Sequence, residues 1–148
     1  MKLQWKSRLH RMVVAGVFAA LLAVLSQISI PLPTGIPVTL QTFAVALCGF
    51  ALGPGLGAAA VGVYLALGAV GIPVFAGFSG GIGSFVGMTG GYLWAFLPMA
   101  FLCGLGARQK NRALALTVGF LGLVVCHLCG SFQFALVSAV SPWNDFLL

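Results

Sequence analysis

The sequence has little charge and almost no acidic side chains. Only 5% of its 148 residues are charged, and Asp145 is its one acidic residue. An ordinary soluble domain carries about 25% charged residues, so this chain has too little charge to cover a water-exposed surface. A single carboxylate also excludes catalysis by paired carboxylates and cation binding by carboxylate cages.

Apolar residues and glycine take the place of the missing charge. Hydrophobic residues make up 61% of the chain, and 21 residues are glycine. A helix needs about 20 apolar residues to cross the hydrocarbon layer of a membrane, and several stretches of this sequence approach that length. The sequence therefore predicts an all-α fold, a polytopic membrane helix bundle that forms a single transmembrane domain over residues 1–148.

Prolines and glycines divide the apolar sequence into five predicted spans. Proline ends helices because it lacks a backbone donor, and Gly-Pro pairs mark turns. The segment between the third and fourth spans, residues 75–91, is too rich in glycine for a stable helix and too apolar for a solvated loop. We predict a re-entrant or tightly packed loop there. The predicted spans are residues 12–30, 40–52, 56–70, 92–107 and 114–140.

The basic residues indicate the orientation of the chain. Four crossings separate a first cluster, which precedes the first span, from a second cluster between the last two spans, so both clusters lie on one side. Loops rich in Lys and Arg face the cytoplasm. The sequence predicts a cytoplasmic N-terminus, with the loops 31–39, 72–91 and 141–145 outside. The two clusters are Lys2, Lys6, Arg8 and Arg11, and Arg108, Lys110 and Arg112.

The glycine-rich loop is the strongest candidate for a binding site. Glycine lets backbone N–H groups approach a ligand closely, and the neighbouring aromatic and hydroxyl side chains add apolar walls and hydrogen-bonding groups. The loop lacks the Lys-Ser/Thr ending of a phosphate loop. Its alternative role is a bend that allows close helix packing. Its length favours binding, because ordering a long loop costs conformational entropy.

Two features of the helices have alternative interpretations. Ala15, Ala19 and Ala23 form a stripe of small residues, which predicts either a docking face for another subunit or close packing within this chain. His127 lies between Cys126 and Cys129, but that spacing matches neither a metal site nor haem attachment. We interpret the cysteines as packed apolar residues and His127 as making a packing hydrogen bond.

Several motifs, in order and spacing over nearly the whole chain, resemble one family. They are PVTLQT at 37–42, LGP at 52–54, YLALG at 64–68, GIPVFAG at 71–77 and TGGY at 89–92. Together they resemble the BioY family, the biotin-specific substrate-binding (S) component of energy-coupling factor (ECF) transporters.

The resemblance implies biotin capture and uptake at a bacterial or archaeal cell membrane, with no enzymatic activity. It implies docking through the Ala15, Ala19 and Ala23 stripe onto the transmembrane coupling subunit EcfT, which works with two ECF ATPases. The chain itself would bind no cofactor, since the partners use the ATP. The substrate-binding residues carried over are Phe75, Gly77, Ser79, Gly80, Gly81, Thr89, Gly91, Tyr92 and Asp145.

The family pattern differs from this sequence at one place. The family has a sixth helix with an acidic residue and a lysine near its start, whereas this chain stops at Leu148, so we expect a domain that lacks its last helix. Without that lysine, backbone amides and the helix start at Tyr92 would face the biotin carboxylate, and binding would be weaker.

Two alternatives to a biotin S component stay open at this stage. The first is an S component for another small vitamin. The second is a small membrane channel or enzyme. No polar stripe lines a predicted span, which speaks against a channel, and no nucleophile and base pair up, which speaks against an enzyme.

Overall fold

The computed structural model describes residues 7–33 and 38–140, and helices dominate these residues. Four helices in this part of the chain are long and apolar enough to cross a membrane: α1, α2, α4 and α5. The elements in chain order are α1 (Arg8–Ser26), β1 (Ser29–Ile30), β2 (Val38–Thr39), α2 (Gln41–Val70), a 3-10 turn (Ala76–Phe78), α3 (Gly83–Val86), α4 (Gly90–Ala107) and α5 (Arg112–Val140).

Helix α2 folds back on itself at Gly53. Gly53 has a non-helical backbone (φ 84°, ψ 175°), and the following Pro54 cannot donate a helical hydrogen bond. The side chains of Gln41 and Tyr64 are hydrogen-bonded at 2.7 Å, although 23 residues of straight helix would separate them by about 35 Å. Residues 41–52 and 54–70 are therefore two antiparallel arms, close to the predicted spans 40–52 and 56–70.

Helix α1 lies earlier in the chain than predicted. It begins after Ser7, whose hydroxyl oxygen accepts a hydrogen bond from the His10 backbone N–H. It ends at Ser26, and the prediction of a helix as far as residue 30 is wrong. Ser29–Ile30 instead pairs with Val38–Thr39 as a two-stranded antiparallel ribbon. The apolar side chains of this ribbon extend the hydrophobic run of the sequence past the real end of the helix.

The helices pack in the order α1, α2, α4, α5. The contact between α2 and α4 is close because glycines face the neighbouring backbone. A Cβ atom at Gly49 would overlap the Ala100 carbonyl and the Cys103 side chain, and one at Gly104 would overlap the backbone of Pro54. The core between the helices contains the fully buried side chains of Leu22, Val45, Tyr64, Phe96 and Met99.

The two ends of the bundle differ in charge. At one end the turn at Gly53 packs against Gly104 on α4, and Gly106 packs against Ala115 on α5. The described basic residues of the two clusters flank the helix ends on this side. The opposite end carries the ribbon and residues 71–91, which include the glycine-rich loop (residues 75–91), and within the described chain it has no Lys or Arg.

Candidate functional site

A cavity of about 610 Å³ lies at the end of the bundle that carries the ribbon and the glycine-rich loop. Small-molecule sites enclose about 300–1,000 Å³, so this cavity has room for a compact organic ligand. The ribbon region, the start of α2, the glycine-rich loop, the start of α4 and one side of α5 all contribute to its wall. It is lined by Leu32, Val38, Thr39, Gln41, Thr42, Phe75, Ala76, Ser79, Ser84, Thr89, Tyr92, Leu93, Phe96 and His127.

The lining combines apolar walls with a few hydrogen-bonding groups. Aromatic rings and aliphatic side chains form the walls, and hydroxyls, one amide and one imidazole form the polar part. Within the described ranges no Lys, Arg, Asp or Glu lines the cavity. Such a lining suits a ligand with a rigid apolar body and a few donors and acceptors.

The start of the glycine-rich loop and the preceding Val74 are fixed by the end of α1 and by Tyr64 on α2. The Val74 carbonyl accepts hydrogen bonds from the Ser26 hydroxyl at 2.6 Å and from the Tyr64 hydroxyl at 3.0 Å. The Gln27 amide donates to the Phe75 carbonyl at 2.9 Å, and its oxygen accepts from the Phe78 backbone N–H at 2.9 Å. These bonds hold the segment around Phe75 at the cavity wall.

Replacing Tyr64 by phenylalanine is expected to lower the free energy of unfolding by about 1–3 kcal/mol, because the buried Gln41 amide loses its acceptor. Thermal unfolding of the detergent-solubilised protein measures the change. The double variant Tyr64→Phe with Gln41→Leu should be more stable than the single variant, since both polar partners are then removed. A double variant at least as unstable as Tyr64→Phe would show that the loss of stability does not come from the unpaired Gln41 amide.

The second half of the loop is fixed by α5 and by aromatic contacts. The Gln133 amide donates to the Phe85 and Gly87 carbonyls, both at 2.8 Å. The Phe85 ring packs edge-on against Phe75, with ring centres 5.6 Å apart, and lies 5.0 Å from the Trp94 ring. The loop is therefore a packed segment that closes the end of the bundle.

The structure brings some of the predicted site residues together and not others. Phe75, Ser79, Thr89 and Tyr92 line the cavity. Asp145 lies outside the described residues, as do the other residues of the predicted loop 141–145. The predicted glycines Gly77, Gly80, Gly81 and Gly91 are absent from the cavity wall.

These glycines have conformational and packing roles instead. Gly77 adopts a left-handed backbone (φ 71°) within the 3-10 turn, and the Gly81 N–H donates to the Gly68 carbonyl. A Cβ atom at Gly80 would overlap the Ile72 carbonyl, and one at Gly91 would overlap the Cys129 carbonyl. At these positions glycine allows a tight backbone bend or a close approach of two backbone segments, which is the alternative role of the loop.

Much of the cavity wall consists of residues that were not predicted from the sequence. Thr39, Gln41 and Thr42 belong to the PVTLQT motif, which carried the family resemblance but was not assigned to the site. His127 was interpreted as a packing residue. Its Nδ1 does bond within α5, to the Leu123 carbonyl at 2.9 Å, but its ring also lines the cavity. The other missed residues are Leu32, Val38, Ala76, Ser84, Leu93 and Phe96.

The alanine stripe of α1 faces the interior of this chain. Ala15 and Ala19 are only 7% and 2% exposed, and Ala23 is half-buried. Gly16 and Ala20, one position further along the helix, are exposed instead. Two of the three alanines are therefore packed inside this chain, and Gly16 and Ala20 are small residues on the exposed face of α1.

Comparison with known proteins gives a consistent result. The sequence pattern of the BioY family matches residues 1–148. The "Biotin transporter BioY" of Thermotoga maritima is 45% identical over 125 residues, which cover 84% of this chain and 73% of that protein. The "Probable biotin transporter BioY" of Pyrococcus horikoshii is 49% identical over 115 residues, which cover 78% of this chain and 68% of that protein.

A solved structure shares the fold. It is the crystal structure of the S-component for biotin from an ECF-type ABC transporter, and it superposes with a TM-score of 0.82 at 27% sequence identity. The superposition covers 95% of this chain and 79% of the solved one. Together with the apolar helices, these matches show a multi-pass membrane protein, and the chain belongs to the BioY family.

Proposed function

We propose that this chain binds biotin in the cavity of about 610 Å³ and serves biotin uptake as the S component of an ECF-type transporter. The observation that carries the proposal is a partly apolar cavity of suitable size, without a charged side chain in its described lining, in a member of the BioY family. The chain is not an enzyme, because the family consists of transporter components.

The cavity lining matches the chemistry of biotin. Its fused rings require apolar surfaces, which Phe75 and Phe96 supply, and its cyclic urea requires donors and acceptors. For its carboxylate we propose the start of α4, where the Thr89 side chain makes no capping hydrogen bond. The helix dipole favours a negative charge at such a helix end. The Gly90 and Tyr92 N–H groups are already bonded to the Gly87 and Thr89 carbonyls, so the dipole carries this part of the proposal.

The orientation follows from charge and from the position of the cavity. The two arms of α2 together with α1, α4 and α5 give five crossings. The basic residues flank the end of the bundle opposite the cavity, and such residues face the cytoplasm. We therefore propose that the cavity opens to the outside of a bacterial or archaeal cell, where biotin would be captured.

Energy for transport would come from partner proteins. The sequence contains no nucleotide-binding motif, so we assign ATP hydrolysis to two ECF ATPases and coupling to EcfT. The exposed small-residue face of α1 at Gly16 and Ala20 allows a close helix–helix contact. This face replaces the Ala15, Ala19 and Ala23 stripe as the proposed docking surface, because two of those alanines are buried.

Uptake of radiolabelled biotin tests the proposal in cells that lack their own importer. Cells that produce this chain with EcfT and both ATPases should accumulate biotin. Unlabelled biotin should compete, whereas riboflavin and thiamine should not. Competition by another vitamin alone would instead identify an S component for that vitamin, and ion currents from the purified chain in bilayers would identify a channel.

Replacing Ala20 by leucine is expected to reduce biotin uptake more than fivefold without changing biotin affinity. The larger side chain would prevent close approach of a partner helix, but Ala20 is exposed and does not line the cavity. Uptake assays and calorimetry on the same variant separate the two effects. Ala66→Leu, at an exposed position of α2, is the matched control, and equal uptake by both variants would contradict docking at this face.

A further inference from the structure

We infer that His127 is a ligand-binding residue whose Nε2 accepts a hydrogen bond from a ring N–H of the ligand, a cyclic urea N–H in the case of biotin. The inference deepens the proposed function and rests on it. Its basis is the hydrogen-bonding state of the imidazole and its position on α5.

The bond within α5 determines which ring nitrogen carries hydrogen. His127 Nδ1 lies 2.9 Å from the Leu123 carbonyl oxygen, one turn earlier in the helix. A carbonyl oxygen can only accept, so Nδ1 must donate and must carry the hydrogen. In the neutral ring Nε2 is then an acceptor with a free lone pair. Among the described residues no donor is hydrogen-bonded to Nε2.

Packing holds the imidazole at the cavity wall. The Tyr92 ring meets it edge-on, with ring centres 5.8 Å apart and an interplanar angle of 88°. Tyr92 is itself fixed against α5, because its ring lies directly over Gly130, where a Cβ atom would overlap it. Both rings line the cavity. The hydrogen bond to Leu123 and this ring contact orient the imidazole, whose exposed side chain borders both the cavity and an outer groove on α5.

A cyclic urea needs acceptors, and the rest of the described cavity lining provides few of them. Each of its two N–H groups loses a hydrogen bond to water on binding, and a buried donor left unpaired is costly. Most polar side chains of the described lining are hydroxyls, which can serve as donors or acceptors. The lining side-chain atoms that act as acceptors without a hydrogen of their own are Gln41 Oε1 and His127 Nε2, since His127 Nδ1 and Gln41 Nε2 donate within the protein.

Calorimetry with the purified full chain and a set of analogues tests the inference. The analogues are the two cyclic carbamates of biotin, in each of which one urea N–H is replaced by oxygen. The wild-type chain should bind biotin and should bind one of the carbamates at least tenfold more weakly, because an oxygen lone pair then faces Nε2. His127→Leu should weaken biotin binding about tenfold but leave the affinity for that carbamate nearly unchanged.

The controls separate this inference from the proposed function and from misfolding. Ser131→Leu replaces a polar residue one turn further along α5, which lines an outer groove and not the cavity. This variant should preserve the wild-type preference for biotin over the weaker-binding carbamate. His127→Gln should keep part of the preference, since its amide oxygen can accept. A wild-type chain that does not bind biotin would overturn the proposed function. If the wild-type chain binds biotin but His127→Leu loses affinity for biotin and for the carbamate equally, the inference would be overturned and the proposed function would stand.

Discussion

Replacing Thr42 by tryptophan is expected to lower the affinity for biotin at least a hundredfold while the protein still folds. Thr42 lies in the first turn of α2 and lines the cavity. An indole ring there would occupy the space that the bicyclic ligand requires, and ligand sites lose affinity when their volume is filled by the protein. Calorimetric titration gives the affinity, and size-exclusion chromatography with thermal unfolding verifies the fold.

The next residue provides a matched control for this variant. Phe43 is 60% exposed and does not line the cavity, so Phe43→Trp introduces the same side chain on the outward face of the same helix turn. It should bind biotin like the wild-type chain. If Thr42→Trp bound biotin with unchanged affinity, the ligand would not lie in this cavity.

Replacing Gly104 by alanine is expected to lower the free energy of unfolding by about 3 kcal/mol, a large effect for a single methyl group. The added Cβ would overlap the backbone of Gly53 and Pro54. Backbone atoms at a turn cannot rotate away as the end of a flexible side chain can. The α2 hairpin and α4 would have to separate, with a loss of packing along both arms. Thermal or denaturant unfolding in detergent measures the loss.

Gly55 offers the corresponding control close to the same turn. A Cβ atom at Gly55 would meet no other atom within 4 Å, and alanine is favoured over glycine in a helix. Gly55→Ala should therefore be as stable as the wild-type chain or more stable. Equal stability of Gly104→Ala and Gly55→Ala would contradict the close packing of the hairpin against α4.

The sequence predicts the helices well where local signals determine them. The reversal at Gly53 is visible because Pro54 removes a donor and glycine permits a positive φ. The predicted end of α1 was wrong because the real end depends on contacts with residues distant in sequence. Ser26 bonds to a carbonyl 48 residues away, and Ile28 and Ile30 continue the apolar sequence past the end of the helix. A periodicity or hydropathy argument does not detect such contacts.

The site was predicted only in part, for a related reason. Phe75 and Tyr92 flank the conspicuous glycines, and they do line the cavity. The glycines suggested ligand contact, but Gly80 and Gly91 are needed where one backbone approaches another. Thr42 and His127 belong to helices far from the loop in sequence. Only the packing of α2 and α5 around the loop brings them to the same wall, so no local pattern identifies them.

Selective binding of biotin in the cavity formed by the loop and the helices can be measured on the purified chain. Calorimetric titration of the detergent-solubilised chain with biotin, with riboflavin and thiamine as controls, is the experiment of choice. We expect saturable binding of one biotin per chain and no binding of the other two vitamins. A folded, monodisperse sample that binds no biotin, or that binds riboflavin or thiamine equally well, would contradict it.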